Sequence, residues 1–179
     1  MASPYFEIFG LVEQLCLDET KLKAKFLELS KKNHPDFFIN NPEKYNQSLA
    51  YTSQLNEAYK VLSTFSTRMA YLLKQHDLLE ESKNKLPTDF LMEMMDINET
   101  IMDLQMDFDK ERWERVHQEV QSISNQMNEK VNQLAESYDQ TSIDDSKKKR
   151  SLLEDLKIIY LKQKYVLRLQ ESLDKFASL

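Results

Sequence analysis

The chain of 179 residues has room for one medium domain or two small ones, either able to fold without metal or disulfide support. One glycine and four prolines exclude the glycine-rich phosphate loops of nucleotide enzymes and leave few ways to turn a tight hairpin, so an all-α fold is expected. Hydrophobic residues at 41% and charged residues at 30% fit a globular chain, and a net charge of −6 with a pI near 5.2 argues against a nucleic-acid binder.

Cys16 is the only cysteine, so neither an internal disulfide nor a thiolate metal cage can form, and a reducing compartment is implied. No apolar run approaches the roughly 20 residues that span a bilayer. The stretch from Met1 to Leu17 lacks Lys and Arg, as a signal or transit peptide does not. A soluble protein of the bacterial cytoplasm is expected, or of the mitochondrial matrix if a presequence has been removed.

Tyr5, Phe6, Ile8 and Phe9 predict a short aromatic turn of helix stopped by Gly10. Asp18 is the expected N-cap of a basic helix whose Leu22, Phe26 and Leu29 share one buried stripe, with Lys21, Lys25 and Lys32 on another face. Pro35 ends that helix near Asn33. A second long helix starts near Pro42 and buries Ser48, Tyr51, Thr52, Leu55, Ala58, Tyr59 and Leu62, its small members allowing close approach of a neighbour. A shorter helix, roughly Ser66 to Gln75, completes an antiparallel hairpin whose loop holds His34, Pro35 and Asp36.

The polar stretch before Pro87 separates this half from the next, giving expected domains of residues 1–78 and 88–179 joined by a linker at 79–87. From Asp89 to about Asp109, Phe90, Met94, Ile97, Ile101, Leu104 and Phe108 form one stripe. Trp113, Val116, Val120, Ile123, Met127, Val131, Leu134 and Tyr138 mark the following helix. After a polar turn at Asp139 to Asp145, Leu152, Leu156, Ile159, Val166 and Leu173 mark the last. Short connections favour antiparallel neighbours, hence a three-helix bundle.

His34-Pro35-Asp36 sets an imidazole and a carboxylate on a stiff loop beside a basic helix, suited to docking a partner that offers Arg and backbone groups. The tripeptide alone also fits a Pro-terminated helix followed by an Asx turn. With the basic helix before it and Leu55-Asn56-Glu57-Ala58-Tyr59-Lys60-Val61-Leu62 after it, this half resembles the J domain of DnaJ-type co-chaperones over roughly the first 75 residues. The resemblance implies binding to a DnaK-family chaperone and stimulation of its ATP hydrolysis. It assigns His34, Pro35 and Asp36 to that contact, with Lys21, Lys25, Lys31 and Lys32 supplying a positive face. The chain departs from the pattern at Leu27 and Glu28, where many J domains keep Lys-Arg, and at Phe37, where Lys or Arg is frequent.

The segment Leu86 to Asp109 holds seven acids (Asp89, Glu93, Asp96, Glu99, Asp103, Asp107 and Asp109) and no base. Once the core stripe is assigned, Leu91, Met92, Met95, Met102 and Met106 remain on the other side of the helix. Two readings stay open on spacing alone: the chain covers this stripe itself, or the stripe contacts a basic, partly apolar partner. The run Asp89-Phe90-Leu91-Met92-Glu93-Met94-Met95-Asp96, following a J domain and opening a three-helix bundle, resembles the iron-sulfur cluster co-chaperone HscB family, called Jac in fungal mitochondria.

That resemblance implies an L-shaped, all-helical protein whose bundle binds the cluster scaffold IscU through Leu91, Met92, Met95, Asp96, Glu99 and Asp103, with Ile158 at the position of a last-helix aromatic. It implies a monomeric adaptor between an HscA-type chaperone and IscU, with no cofactor and no enzyme activity of its own. The zinc-binding cysteine module of some relatives is absent. His76, His117 and Cys16 read as surface or core residues rather than metal ligands. The rival readings are a J protein with another client and a helical scaffold without a chaperone link.

Overall fold

Side-chain oxygens placed ahead of the helices set where they begin. In the computed structural model, which describes residues 3–80 and 84–176, the Asp18 carboxylate accepts the Lys21 amide at 3.0 Å and starts α2 (Glu19–Lys32). The same bond holds the Asp18 carboxyl below the usual carboxylate range. This contribution is therefore present above the ordinary Asp pKa and fades as pH falls through the lowered one.

A short α1 (Pro4–Ile8) precedes it and is closed by Gly10, whose φ of +65° only glycine adopts without strain. Asn41 caps α3 (Pro42–Leu62) through the Lys44 amide at 3.1 Å, with Pro42 in the first turn. Next comes α4 (Phe65–Gln75).

The chain divides into two units, Met1–Asp77 and Leu78–Leu179. In the first, Phe6, Phe9, Leu15, Leu22, Leu55, Ala58, Leu62, Met69, Leu72 and Leu73 are buried. Phe26 of α2 stacks on Tyr59 of α3 with ring centroids 4.2 Å apart, and such a pair contributes about 0.5–1.5 kcal/mol beyond its buried area. Phe26, Leu29, Tyr51, Thr52 and Tyr59, all expected inside, are half-buried because they line the open edge of the two-helix face. Cys16, expected in the core, is exposed; its neighbour Leu15 takes the inward position.

Arg68 is buried in this unit. Its Nε donates to the Leu15 carbonyl at 2.8 Å, Nη1 donates to the Leu62 carbonyl, and the guanidinium lies over the Phe65 ring. One side chain thereby ties the loop before α2 to the end of α3. Arg68→Met is expected to lower the stability of the protein by about 2–4 kcal/mol in chemical denaturation, because both carbonyls lose their donor in a dry site.

In the second unit the helix expected from Asp89 to Asp109 is two helices, α5 (Thr88–Glu93) and α6 (Met95–Met106), broken at Met94. The Asn98 amide group donates to the Met94 carbonyl at 2.6 Å and to the Tyr165 hydroxyl at 2.8 Å. The Asn98 main-chain amide keeps its own bond to the Met94 carbonyl at 3.1 Å, so the side chain adds a tie from α6 to the helix of Tyr165.

The second helix of the pair stops at Met106 because Asp107 is extended and Asp109 caps α7 (Lys110–Gln140) through the Arg112 amide. Phe108, expected in the core stripe, is half exposed in that connection and stacks on Phe176. Asp145 caps α8 (Ser146–Asp174).

The core of this unit joins Phe90, Met94, Ile97, Ile101 and Leu104 to Val116 and Val120 of α7 and to Val166, Leu169 and Leu173 of α8. Leu153, rather than the expected Leu152, takes the inward position early in α8. The architecture is all-helical, a helical hairpin with short helices followed by a three-helix bundle whose first member is broken, and no strand occurs among the described residues. Of the expected linker, Glu81, Ser82 and Lys83 lie outside the described residues.

Candidate functional site

The corner between α2 and α3 is built by Asn33. Its side-chain amide donates to the Leu29 carbonyl at 2.8 Å and closes α2, while its own carbonyl accepts from Ser48 Oγ and, at 3.4 Å, from Thr52 Oγ1 of α3. By sequence, Ser48 and Thr52 are expected as small members of a packed stripe. Their i, i+4 hydroxyls beside a helix-ending Asn were the signal for this clamp, which holds the base of the His34-Pro35-Asp36 turn against the neighbouring helix.

The turn is a 3₁₀ segment, Pro35–Phe38, rather than an irregular loop. His34 stands at its N-cap with Nδ1 accepting the Asp36 amide at 3.3 Å. The neutral ring then carries its proton on Nε2, a donor facing away from the turn. The Asp36 carboxylate lies 3.5 Å from Nδ1, and both side chains are exposed. Phe37 meets the imidazole edge-on at 6.3 Å. The turn is apolar as well as polar, because Phe37 and Ile39 are exposed; Leu27 of α2 and Leu49 of α3 are exposed as well.

Of the four expected lysines, Lys21 pairs with Asp18 at 3.2 Å and Lys25 with Glu28 at 3.0 Å on the exposed side of α2. Lys31 and Lys32 are exposed in its last turn, adjoining the corner, where the helix dipole favours cations. Removing the clamp with Ser48→Ala and Thr52→Ala together is expected to speed amide exchange at Asn33 and across Asp36–Phe38, since the turn loses both hydroxyl donors. Hydrogen exchange read by mass spectrometry checks this.

In the second unit Leu91 and Met92 near the end of α5, Met95 at the start of α6, and Met102 and Met106 further along are all exposed. Met94 between them is buried on the core stripe, which leaves the other thioethers outside. Asp96 and Glu99 are exposed beside them. Asp103 is engaged, accepting from Arg112 Nη2 at 2.7 Å, a pairing invisible in the base-free segment because its partner comes from α7.

Ile158 is part-exposed on α8, one turn before Lys162, whose ammonium lies 4.8 Å from the Phe90 ring centre of α5. Helix periodicity thus puts Ile158 on the face of α8 that flanks α5. His76 pairs with Glu13 at 2.9 Å, and His117 stacks on Trp113 with Nε2 3.7 Å from Asp174. Among the described residues no group of three or more His, Cys, Asp or Glu is placed to hold a metal, and no helix is long and apolar enough to cross a membrane.

Comparison with known proteins agrees with both halves. The DnaJ domain family matches residues 4–71, and the family described as the HSCB C-terminal oligomerisation domain matches residues 86–174. The crystal structure of human co-chaperone protein HscB superposes with a TM-score of 0.66 over 97% of this chain and 81% of its own, at 23% identity. The chaperone HscB from Vibrio cholerae does so with a TM-score of 0.58 over 97% and 99%, also at 23% identity. At that identity the two establish the fold alone.

Fold and corner together define a J-domain protein with a helical C-terminal domain. A co-chaperone protein HscB homolog of Vibrio parahaemolyticus is 31% identical over 137 residues, 70% of this chain and 80% of the relative. The chain belongs to the HscB co-chaperone family. An HscB homolog of Aliivibrio salmonicida is 38% identical over 110 residues, and the chain spans 64% of that relative's length.

Proposed function

We propose that this protein delivers an iron-sulfur cluster scaffold of the IscU kind to a DnaK/HscA-type chaperone. Its J domain would stimulate the chaperone's ATPase through His34, Pro35 and Asp36, with Lys31 and Lys32, and less directly Lys21 and Lys25, guiding the encounter. Its C-terminal bundle would hold the scaffold through Leu91, Met92, Met95 and Ile158, fringed by Asp96, Glu99 and Asp103.

The observation that carries this reading is the exposure of two unlike surfaces on one chain. One is a hydrogen-bonded imidazole and carboxylate corner in the first unit; the other is a thioether ridge rimmed by acids in the second. An exposed apolar ridge is costly in water and is relieved by a partner that covers it. Acids around it favour a basic partner by steering the encounter. Joining the two surfaces in one chain raises the concentration of scaffold at the chaperone without new chemistry.

The test is the ATPase rate of a purified DnaK/HscA-type chaperone with this protein alone, with scaffold alone, and with both. Stimulation greater than the product of the separate effects is the expected result. Stimulation that scaffold leaves unchanged assigns the bundle to another client.

A further inference from the structure

The thioethers of the second unit are sorted by exposure. Met94 is 0% exposed, whereas Met92, Met95, Met102 and Met106 expose 70%, 57%, 63% and 91% of their surface. Met69 of the first unit, at 2%, is shielded in the same way as Met94. The four exposed methionines follow one another at helical spacing on one side of α5 and α6. Beneath them Met94, Ile97, Ile101 and Leu104 form the packed core.

We propose that Met92, Met95, Met102 and Met106 form a peroxide-modification site whose oxidation releases the partner from the ridge. The regulatory part of this rests on the docking reading above. Hydrogen peroxide supplies the oxygen: the thioether sulfur attacks one peroxide oxygen, the O–O bond breaks, and the S–O bond of the sulfoxide forms. The other oxygen leaves as water once it takes up the proton. Sulfur is oxidised by two electrons and the peroxide is reduced by two.

The reaction reaches the ridge without entering the core, because Met94 is covered. Its consequence follows from the surroundings. A sulfoxide oxygen is a hydrogen-bond acceptor, and the side chains beside it on the ridge, Asp96, Glu99 and Asp103, are acceptors too when ionised. The base-free segment offers no cation to it, and the nearby Arg112 already donates to Asp103. Among the described residues the cations placed nearest these helices, Arg112 and Lys162, lie on Asp103 and over the Phe90 ring, so a sulfoxide pressed against an apolar part of the partner is buried unpaired, which is unfavourable.

The experiment uses full-length protein carrying Cys16→Ser, which removes the exposed thiol as a second peroxide target. After graded hydrogen peroxide, peptide mapping is expected to find sulfoxide at Met92, Met95, Met102 and Met106 well before Met69 and Met94. Uniform oxidation of all six overturns the site.

Titration with purified IscU-type scaffold is then expected to show at least tenfold weaker binding after oxidation, restored by methionine sulfoxide reductase. A variant with Leu at all four positions is expected to bind equally before and after peroxide. Tight binding of both oxidised and untreated protein overturns the switch alone, whereas failure of untreated protein to bind overturns the docking reading and the switch with it. Should oxidation melt the helices in circular dichroism, the loss is unfolding and the proposal falls.

Discussion

His34→Gln is expected to reduce the chaperone's ATPase, measured with saturating co-chaperone, to its unstimulated rate while leaving the scaffold's dissociation constant unchanged. In the proposed contact the imidazole would act as a fixed donor. Its Nδ1 is occupied by the Asp36 amide, and Pro35 limits how the turn bends, so Nε2–H is held in one direction with little entropy left to lose on contact. Gln can present an amide donor, but on a longer chain with more rotamers and without the ring that meets Phe37 edge-on. Hot-spot contacts of this kind lose several kcal/mol when their geometry is lost. Scaffold binding, which the proposal gives to the other unit, is the internal control: full stimulation by the variant would reject the role given to this corner.

Leu91→Ala, Met92→Ala and Met95→Ala combined are expected to weaken scaffold binding by about 3–6 kcal/mol in calorimetry, since each truncation removes apolar area worth about 1–2 kcal/mol when fully covered. All three side chains are exposed in the protein alone, so the variant should unfold at nearly the same denaturant concentration as the parent. Loss of binding with unchanged stability separates a docking surface from a core. An unchanged dissociation constant would take these residues out of the interface.

The two substitution sets also test each other. If the units act as a tethered pair, the triple variant still stimulates the chaperone in the absence of scaffold, and His34→Gln still binds scaffold, yet neither couples the two events. Mixing the two variants in one assay should not restore coupling, because the tether is covalent within each chain.

Much of the helical layout is legible in local chemistry. Asp18 and Pro42 mark helix starts, Asn33 marks an end because Pro35 follows, and Gly10 stops the first turn; each of these rests on a bond or a dihedral within a few residues. The apolar period of 3.6 likewise separates Phe90, Met94, Ile97, Ile101 and Leu104 from the exposed methionines.

What periodicity misses is set by partners far along the chain. Asn98 of α6 finds its second side-chain partner in the Tyr165 hydroxyl of α8. Asp103 looks unpaired until α7 brings Arg112 to it. Phe108 has the spacing of a core residue, but the Asp109 cap turns the chain before it can complete the stripe.

By itself, then, the order of residues determined the helical class, the two-part division of apolar patterns and the chemical types at the corner and the ridge, because caps, breakers and amphipathic stripes act over one or two turns. Only the tertiary structure decided that Ser48 and Thr52 of α3 grip the carbonyl behind His34, that Arg68 joins two distant carbonyls, and that Arg112 of α7 reaches Asp103. Those outcomes depend on which donor meets which acceptor across helices, and that matching exists only after the helices have packed.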